Sequence, residues 1–262
     1  MAILEAIALA LLFVFLAMAF ATICVLTGHR LIRSHVSSSH NVVMTALFGS
    51  ASVVYAVLLG FLVVVVWESY DSAHQNVAQE AATLVPLYRL TYGMTLQSGK
   101  PLRGMIRNYT EALISDEWPM LGTTRTGSRN ARRLIGDMDR HFALLDSTSK
   151  AADAQVNTEF LRTKSSIVAA RNQRLLEASD SIPWVMWLGA IGGGVLTTFM
   201  SALLYMTRLW PQLLMSLLIA ALTGLLLFIM AVLSRPFSGP LAIGPEYFTE
   251  ALQVMDDVDR GY

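Results

Sequence analysis

Ionisable side chains are scarce in this chain. Asp, Glu, Lys and Arg make up 15% of its 262 residues, against about 25% in an ordinary soluble domain. The formal net charge is +0, so no global positive field exists to hold nucleic acid. Cysteine occurs once, as Cys24 inside an apolar stretch. That excludes an intrachain disulfide and argues against a thiolate site. Nucleotide-binding glycine loops, paired-histidine zinc motifs and G-x-S-x-G elbows are missing. The sequence therefore predicts no enzyme, no cofactor and no metal site.

What is abundant is apolar residue in long runs. Hydrophobic residues reach 54% and the mean hydropathy is +0.52. Four stretches are long enough for the roughly 20 residues that a helix needs to cross a bilayer core of about 30 Å. They are Ile3 to Leu26, Val42 to Trp67, Pro183 to Met206 and Pro211 to Leu233, and Glu5 is the one charged residue within those limits. A soluble chain has no reason to hold four such runs, so the lipid bilayer is the first partner the sequence names. The first run lacks Lys or Arg ahead of it and is too long for a signal peptide core, so it reads as a retained helix.

Orientation follows from basic residues in short loops. The first loop carries Arg30 and Arg33 with His29, His35 and His40, and the turn between spans 3 and 4 is Thr207-Arg208-Leu209-Trp210. The opposite flanks are acidic, with Glu68 and Asp71 after span 2 and Glu177 and Asp180 before span 3. This bias predicts a multi-pass membrane protein with both termini and the central domain extracytoplasmic.

Residues 68–182 hold 14 of the 19 basic and 13 of the 19 acidic residues. Their helical spacing predicts a water-exposed bundle. Val77, Ala81, Leu84 and Tyr88 mark one helix face, and no turn signal separates them from Trp67, so span 2 continues into this domain with Pro86 placed to kink it. Gly99-Lys100-Pro101 reads as a break, with Pro101 opening a helix that carries Leu102, Ile106, Tyr109 and Leu113 and ends near Trp118-Pro119. A third helix carries Leu134, Met138, Phe142 and Leu145. After a loop at Ser147 to Ala151, a fourth carries Val156, Phe160, Ile167 and Leu175. Arg132-Arg133 and the pair Arg171 and Arg174 read as solvated faces. The fold class is an all-α membrane protein: four transmembrane helices with a helical bundle inserted between spans 2 and 3. The expected domains are 1–67 for spans 1 and 2, 68–182 for the bundle, 183–234 for spans 3 and 4, and 235–262 for a tail. Within the tail, Phe248, Leu252 and Met255 line an amphipathic helix that starts at Pro245-Glu246.

Small residues form the candidate pore or helix-packing positions: Ser52, Ala56 and Gly60 on span 2, and Gly189, Gly193 and Thr197 on span 3. Spacing by four lets backbones approach closely, or exposes hydroxyls and carbonyls to ions. Span 4 repeats the pattern with Ser216, Ala220 and Gly224. Glu68, Asp71 and Glu80 come from one helix, and in a homo-oligomer they would ring a mouth that concentrates inorganic cations. The span interiors hold no acidic or basic side chain, which argues against proton-coupled transport and for a passive path. Trp67, Trp184, Trp187 and Trp210 fall near span ends, as interfacial anchors do.

Three stretches carry a resemblance. They are FGSASVVYAVLLGFLVVVVWESYD from Phe48 to Asp71, the approach to span 3 from Arg171 to Pro183, and Arg235-Pro-Phe-Ser-Gly. Together they resemble a bacterial family labelled bestrophin-like domain, over most of the chain from residue 42 onward. The resemblance implies a four-span helical protein with a helical insertion. Bestrophins proper are pentameric anion channels with a cytoplasmic insertion and a hydrophobic neck on the second span; no matching aromatic neck stands here. The resulting expectation is an oligomeric ion channel or pore with span 2 lining the path. The alternative is a non-conducting scaffold or sensor whose extracytoplasmic domain binds a partner.

Overall fold

The computed structural model describes residues 2–32, 38–146, 154–180, 182–204, 206 and 208–261. Arg33, His35, Thr207 and the loop Ser147 to Ala151 lie outside the described residues, as do the side chains of His40 and Leu145. Among the described residues every regular element is helical: α1 (Ala2–Ile32), α2 (Ser38–Leu90), α3 (Leu96–Ala112), α4 (Trp118–Thr123), α5 (Arg129–Asp146), α6 (Ala154–Ser179), α7 (Trp184–Leu203), α8 (Leu209–Leu233) and α9 (Glu246–Arg260). The chain divides into two compact units, Met1–Tyr70 with Ser181–Ser234, and Asp71–Asp180 with Arg235–Tyr262.

Among the described residues four helices, α1, α2, α7 and α8, are long and apolar enough to cross a membrane, and the first unit holds α1, α7, α8 and the first part of α2. Helix α1 packs on α8 and α7. Small residues bring those backbones together: a Cβ on Gly224 would stand 2.9 Å from the Phe13 carbonyl and 3.0 Å from the Val14 Cα. Ser216 and Ala220 share its buried stripe, and Ser216 Oγ lies 3.1 Å from Ser201 Oγ of α7. The outward side of α1 is bare Ile, Leu and Phe, which water would not tolerate in such a contiguous surface. Helix α7 stops at Leu203, short of the expected Met206, because Leu204 turns extended. Helix α8 starts at Leu209 and takes Pro211 into its first turn, where the missing N–H has no intrahelical partner to lose. Trp210 is thus helical rather than part of the turn. Trp67, Trp184 and Trp210 are exposed, whereas Trp187 packs against the buried cluster.

The second unit is built on the end of α2, which runs without a break through Pro86 to Leu90. A bilayer core accounts for only about 20 of its residues, so a 53-residue helix extends well beyond any span. Val77, Ala81, Leu84 and Tyr88 are all buried, as are Leu102, Ile106, Tyr109 and Leu113 of the following helix. The chain turn comes earlier than Gly99-Lys100-Pro101. A 3₁₀ turn at Thr91–Gly93 and extended Met94 and Thr95 precede α3, and Pro101 sits inside it. Gly99 is required by close approach, since its added Cβ would overlap the Thr91 carbonyl. Beyond α3, Leu113–Glu117 form a π-helical turn in which Trp118 N–H bonds Leu113 O. The wider turn relieves the clash that Pro119 would otherwise impose on a carbonyl four residues back.

Helix α9 buries Phe248, Ala251 and Met255 in this unit. The approach to α9 is held by Ile243 N–H to Pro236 O at 2.8 Å and by Gly239 at φ 93. Phe237 meets Trp118 edge-on with centroids 6.0 Å apart, and Trp118 Nε1–H donates to Ile243 O at 3.0 Å. The Arg235-Pro-Phe-Ser-Gly segment thus has a packing partner.

Candidate functional site

Two features are candidates, one in each unit. The first is the membrane part of α2. Tyr55, Leu59, Leu62 and Val66 recur at helical spacing and are buried against Ala190 of α7 and Met230 and Leu233 of α8. Tyr55 donates its hydroxyl to the Ala190 carbonyl at 2.9 Å. Its ring lies against the α7 backbone, where a Cβ on Gly193 would overlap it and a Cβ on Gly194 would stand 2.9 Å from its Oη. Gly193 is therefore a seat for Tyr55. Gly189 is an ordinary contact, 3.6 Å from a Leu58 methyl, and the Thr197 hydroxyl donates back to Gly193 O at 2.9 Å.

Most of the remaining surface of the membrane part of α2 is uncovered by the described residues of its own chain. Val54 is 70% exposed and Phe61 67%, and Ala56 and Gly60 are exposed beside them. Nothing lies within 4 Å of a Cβ placed on Gly60. Ser52 is half-buried, and its Oγ has no hydrogen-bond partner among the described residues. One stripe of this helix is thus committed to its own chain, and the others are free for neighbours, lipid or a path.

The second feature is a cluster of four buried charges in the second unit. Arg174 and Glu80 are each 0% exposed. Arg174 donates Nε–H to Glu80 Oε2 at 2.7 Å and Nη2–H to Glu117 Oε1 at 2.8 Å. Arg171 donates to both Glu117 oxygens, at 3.0 and 2.5 Å, and Ser128 N–H adds a bond of 2.8 Å. Two arginines face two carboxylates, so the cluster is neutral and satisfies the rule that buried charge must be paired. The guanidinium carbon of Arg174 lies 5.1 Å from the Trp118 ring and 5.8 Å from the Phe248 ring. Burial alone would raise the Glu117 carboxyl, but the Arg171 hydrogen bond and the charges of Arg174 and Arg171 outweigh it and hold it below its ordinary range. Burial, then the Glu80 charge, pushes the Tyr109 phenol well up.

This cluster corrects two expectations. Glu80 does not face a solvent-filled mouth, because it is sealed in an ion pair within its own chain. Arg171 and Arg174 are not a solvated face. They occupy the buried stripe that also carries Phe160, Ile167 and Ala178, and the signal was their place in that spacing rather than their charge. Arg132 and Arg133 are exposed as expected. Of the other acidic candidates, Glu68 is exposed, and Asp71 is half-buried with a 2.6 Å hydrogen bond from Gln75. Among the described residues no group of three His, Cys, Asp or Glu could hold a metal. His74 instead meets the Tyr247 hydroxyl at 3.3 Å.

Residues 15–248 match the family described as Bestrophin-like domain. The chain belongs to that family. The Bestrophin-like chain also shares its fold with solved membrane proteins. A crystal structure of a substituted membrane protein aligns with a TM-score of 0.72 at 12% identity, covering 95% of this chain and 97% of that one. Two variants of a bacterial bestrophin homologue from Klebsiella pneumoniae align with TM-scores of 0.69 and 0.70, at 12% and 11% identity. They cover 94% and 95% of this chain and 98% of each homologue chain. No curated protein sequence matches. The Bestrophin-like assignment rests on sequence over most of the chain, and the structural likeness on fold.

Proposed function

We propose that this Bestrophin-like chain forms a homo-oligomeric ion channel of the bacterial inner membrane, with the membrane part of α2 lining the path. The observation that carries the reading is the uncovered surface of α2. A helix on a pore axis gives one face to its own subunit, its flanks to neighbours and one face to the path. Helix α2 buries the Tyr55–Val66 stripe and leaves Ala56 and Gly60 open. Small residues on the path side leave room for an ion, and the absence of acidic and basic side chains within the span interiors suits passive flow. On this reading Gly189, Gly193 and Thr197 pack helices, while Glu68 and Asp71 stand at the mouth and bias the path toward cations. The family membership supports the channel class.

The helical unit 71–180 is then an insertion between spans 2 and 3, joined by the α9 tail. The arginine bias of Arg30, Arg33 and Arg208 supports an orientation with the short loops in the cytoplasm and the termini and insertion outside. The purified protein in liposomes should pass ions and run as an oligomer in mild detergent. A monomer without flux ends the proposal. An oligomer without flux that captures a partner through its helical unit would fit a scaffold or sensor instead.

A further inference from the structure

Two exposed helix faces in the second unit carry opposite charge at the same spacing. On α5, Arg129, Arg133 and Arg140 are exposed at i, i+4 and i+11, with Gly136 between them at i+7. On α9, Glu246, Glu250 and Asp257 are exposed at i, i+4 and i+11, with Gln253 at i+7. Residues at these offsets share one side of a helix.

Neither stripe is neutralised by the other within the chain. Among the described residues Arg129, Glu246 and Glu250 form no ion pair. Arg133 and Arg140 flank the single carboxylate of Asp137, and Asp257 is 3.6 Å from Arg260. The α5 stripe also begins at the wrong helix end, since its first turn is positive through the dipole and still starts with Arg129. On α9, Glu246 suits the first turn and Asp257 has Arg260 beside it. The charges of Arg129, Glu246 and Glu250, which have no ion partner among the described residues, are the ones a second copy can neutralise.

We infer that the α5 basic stripe of one copy docks antiparallel on the α9 acidic stripe of the next copy. This rests on the homo-oligomer of the preceding section and adds the contact that orders its helical units. Antiparallel packing sets Arg129 opposite Asp257 and Arg140 opposite Glu246, while Arg133 faces Gln253 and Glu250 faces Gly136, so those two charges stand about 4.5 Å apart along the axis. It also opposes the two helix dipoles. Two different complementary faces on each copy form a head-to-tail contact, which closes a ring when the rotation permits.

The test is disulfide crosslinking between differently tagged copies co-expressed in a Cys24→Ser background. One copy carries Arg129→Cys and the other Asp257→Cys. The expected result is a crosslinked heterodimer band, lost when oxidation is run at about 1 M salt, where the screening length falls to about 3 Å. Pairing Arg129→Cys with Glu246→Cys, 11 residues or about 16 Å along α9, should give no band. No band from the Asp257→Cys mixture while the oligomer mass is retained overturns this contact and leaves the oligomer standing. A band from the Glu246→Cys mixture in its place overturns the antiparallel arrangement. A monomeric mass overturns the oligomer and this contact together.

Discussion

Arg174 and Glu80 meet at 2.7 Å with both side chains wholly out of water. They join α6 to α2 across 94 positions of sequence, so the extension of the second span is tied to the helical unit by charge as well as by apolar packing. Removing Arg174 strands Glu80, and removing Glu80 leaves two buried arginines on the single carboxylate of Glu117, in a medium that cannot solvate the excess charge.

Arg174→Leu and Glu80→Leu, each alone, should therefore cost about 3–5 kcal/mol of stability. The double replacement should recover part of that loss, because no unpaired charge remains. Arg132→Ala, at an exposed position, should stay within about 0.5 kcal/mol. Denaturant titration in detergent measures all four. Equal effects of the single and double changes would show that the ion pair is not the origin of the loss.

Gly193→Ala should lower the thermal midpoint, because its methyl group would overlap the Tyr55 ring. Gly60→Ala should leave it unchanged, since that site is open within the chain. Tyr55→Phe keeps the ring and loses the hydroxyl bond to Ala190, and should cost about 0.5–1.5 kcal/mol. A harmless Gly193→Ala would mean that Tyr55 sits elsewhere.

Glu117 supplies a pH dependence with a definite sign. Its carboxyl is held below the unfolded value of about 4.3. A depressed folded value means that the stabilisation is complete above the unfolded value and is lost as pH falls through the folded one. Below about pH 4.3 the thermal midpoint should drop, and Glu117→Gln, less stable at neutral pH, should show a shallower drop. Parallel curves would exclude Glu117 as the titrating group.

Asp259 accepts hydrogen bonds from Tyr92 and from Tyr88, the latter at 2.7 Å, and Arg107 pairs with it at 2.9 Å. The Tyr92 phenol is pushed up to about 12, first by its hydrogen bond to Asp259 and then by burial. Asp259→Asn should bring Tyr92 ionisation down toward about 10. The difference between phenolate absorbance titrations with and without Tyr92→Phe reads it. An unchanged titration would show that Asp259 does not reach Tyr92 in solution.

A reporter fused after residue 262 tests the orientation. Activity of a periplasmic reporter is expected from the arginine bias. A cytoplasmic readout would place the helical unit inside and overturn that orientation.

The spans were legible because about 20 uncharged apolar residues in a row suit lipid and little else. The ends of spans 3 and 4 moved by at most three residues, where Leu204 and Pro211 set local geometry. The continuation of span 2 was legible because no turn signal separates Trp67 from the stripe that starts at Val77, and the helix passes through Pro86 without ending. The buried charges were not. Glu80 follows Val77 by three residues and Glu117 lies midway between Leu113 and Leu121, so both occupy core positions, yet a charged residue in sequence reads first as solvent-facing. Pairing across 94 positions cannot be deduced from helical period. The seat of Tyr55 shows the same limit, since Gly193 announced a close approach without saying what approaches.

The central claim is that α2 lines an ion path, and thiol block of flux tests it most directly. Ala56→Cys and Gly60→Cys, each in a Cys24→Ser background, would be reconstituted in liposomes and treated with a charged, water-soluble thiol reagent. The account predicts that flux falls at both positions and persists for Leu12→Cys on the outward face of α1. Flux that survives modification at both α2 positions, or that is blocked only through α1, would contradict it.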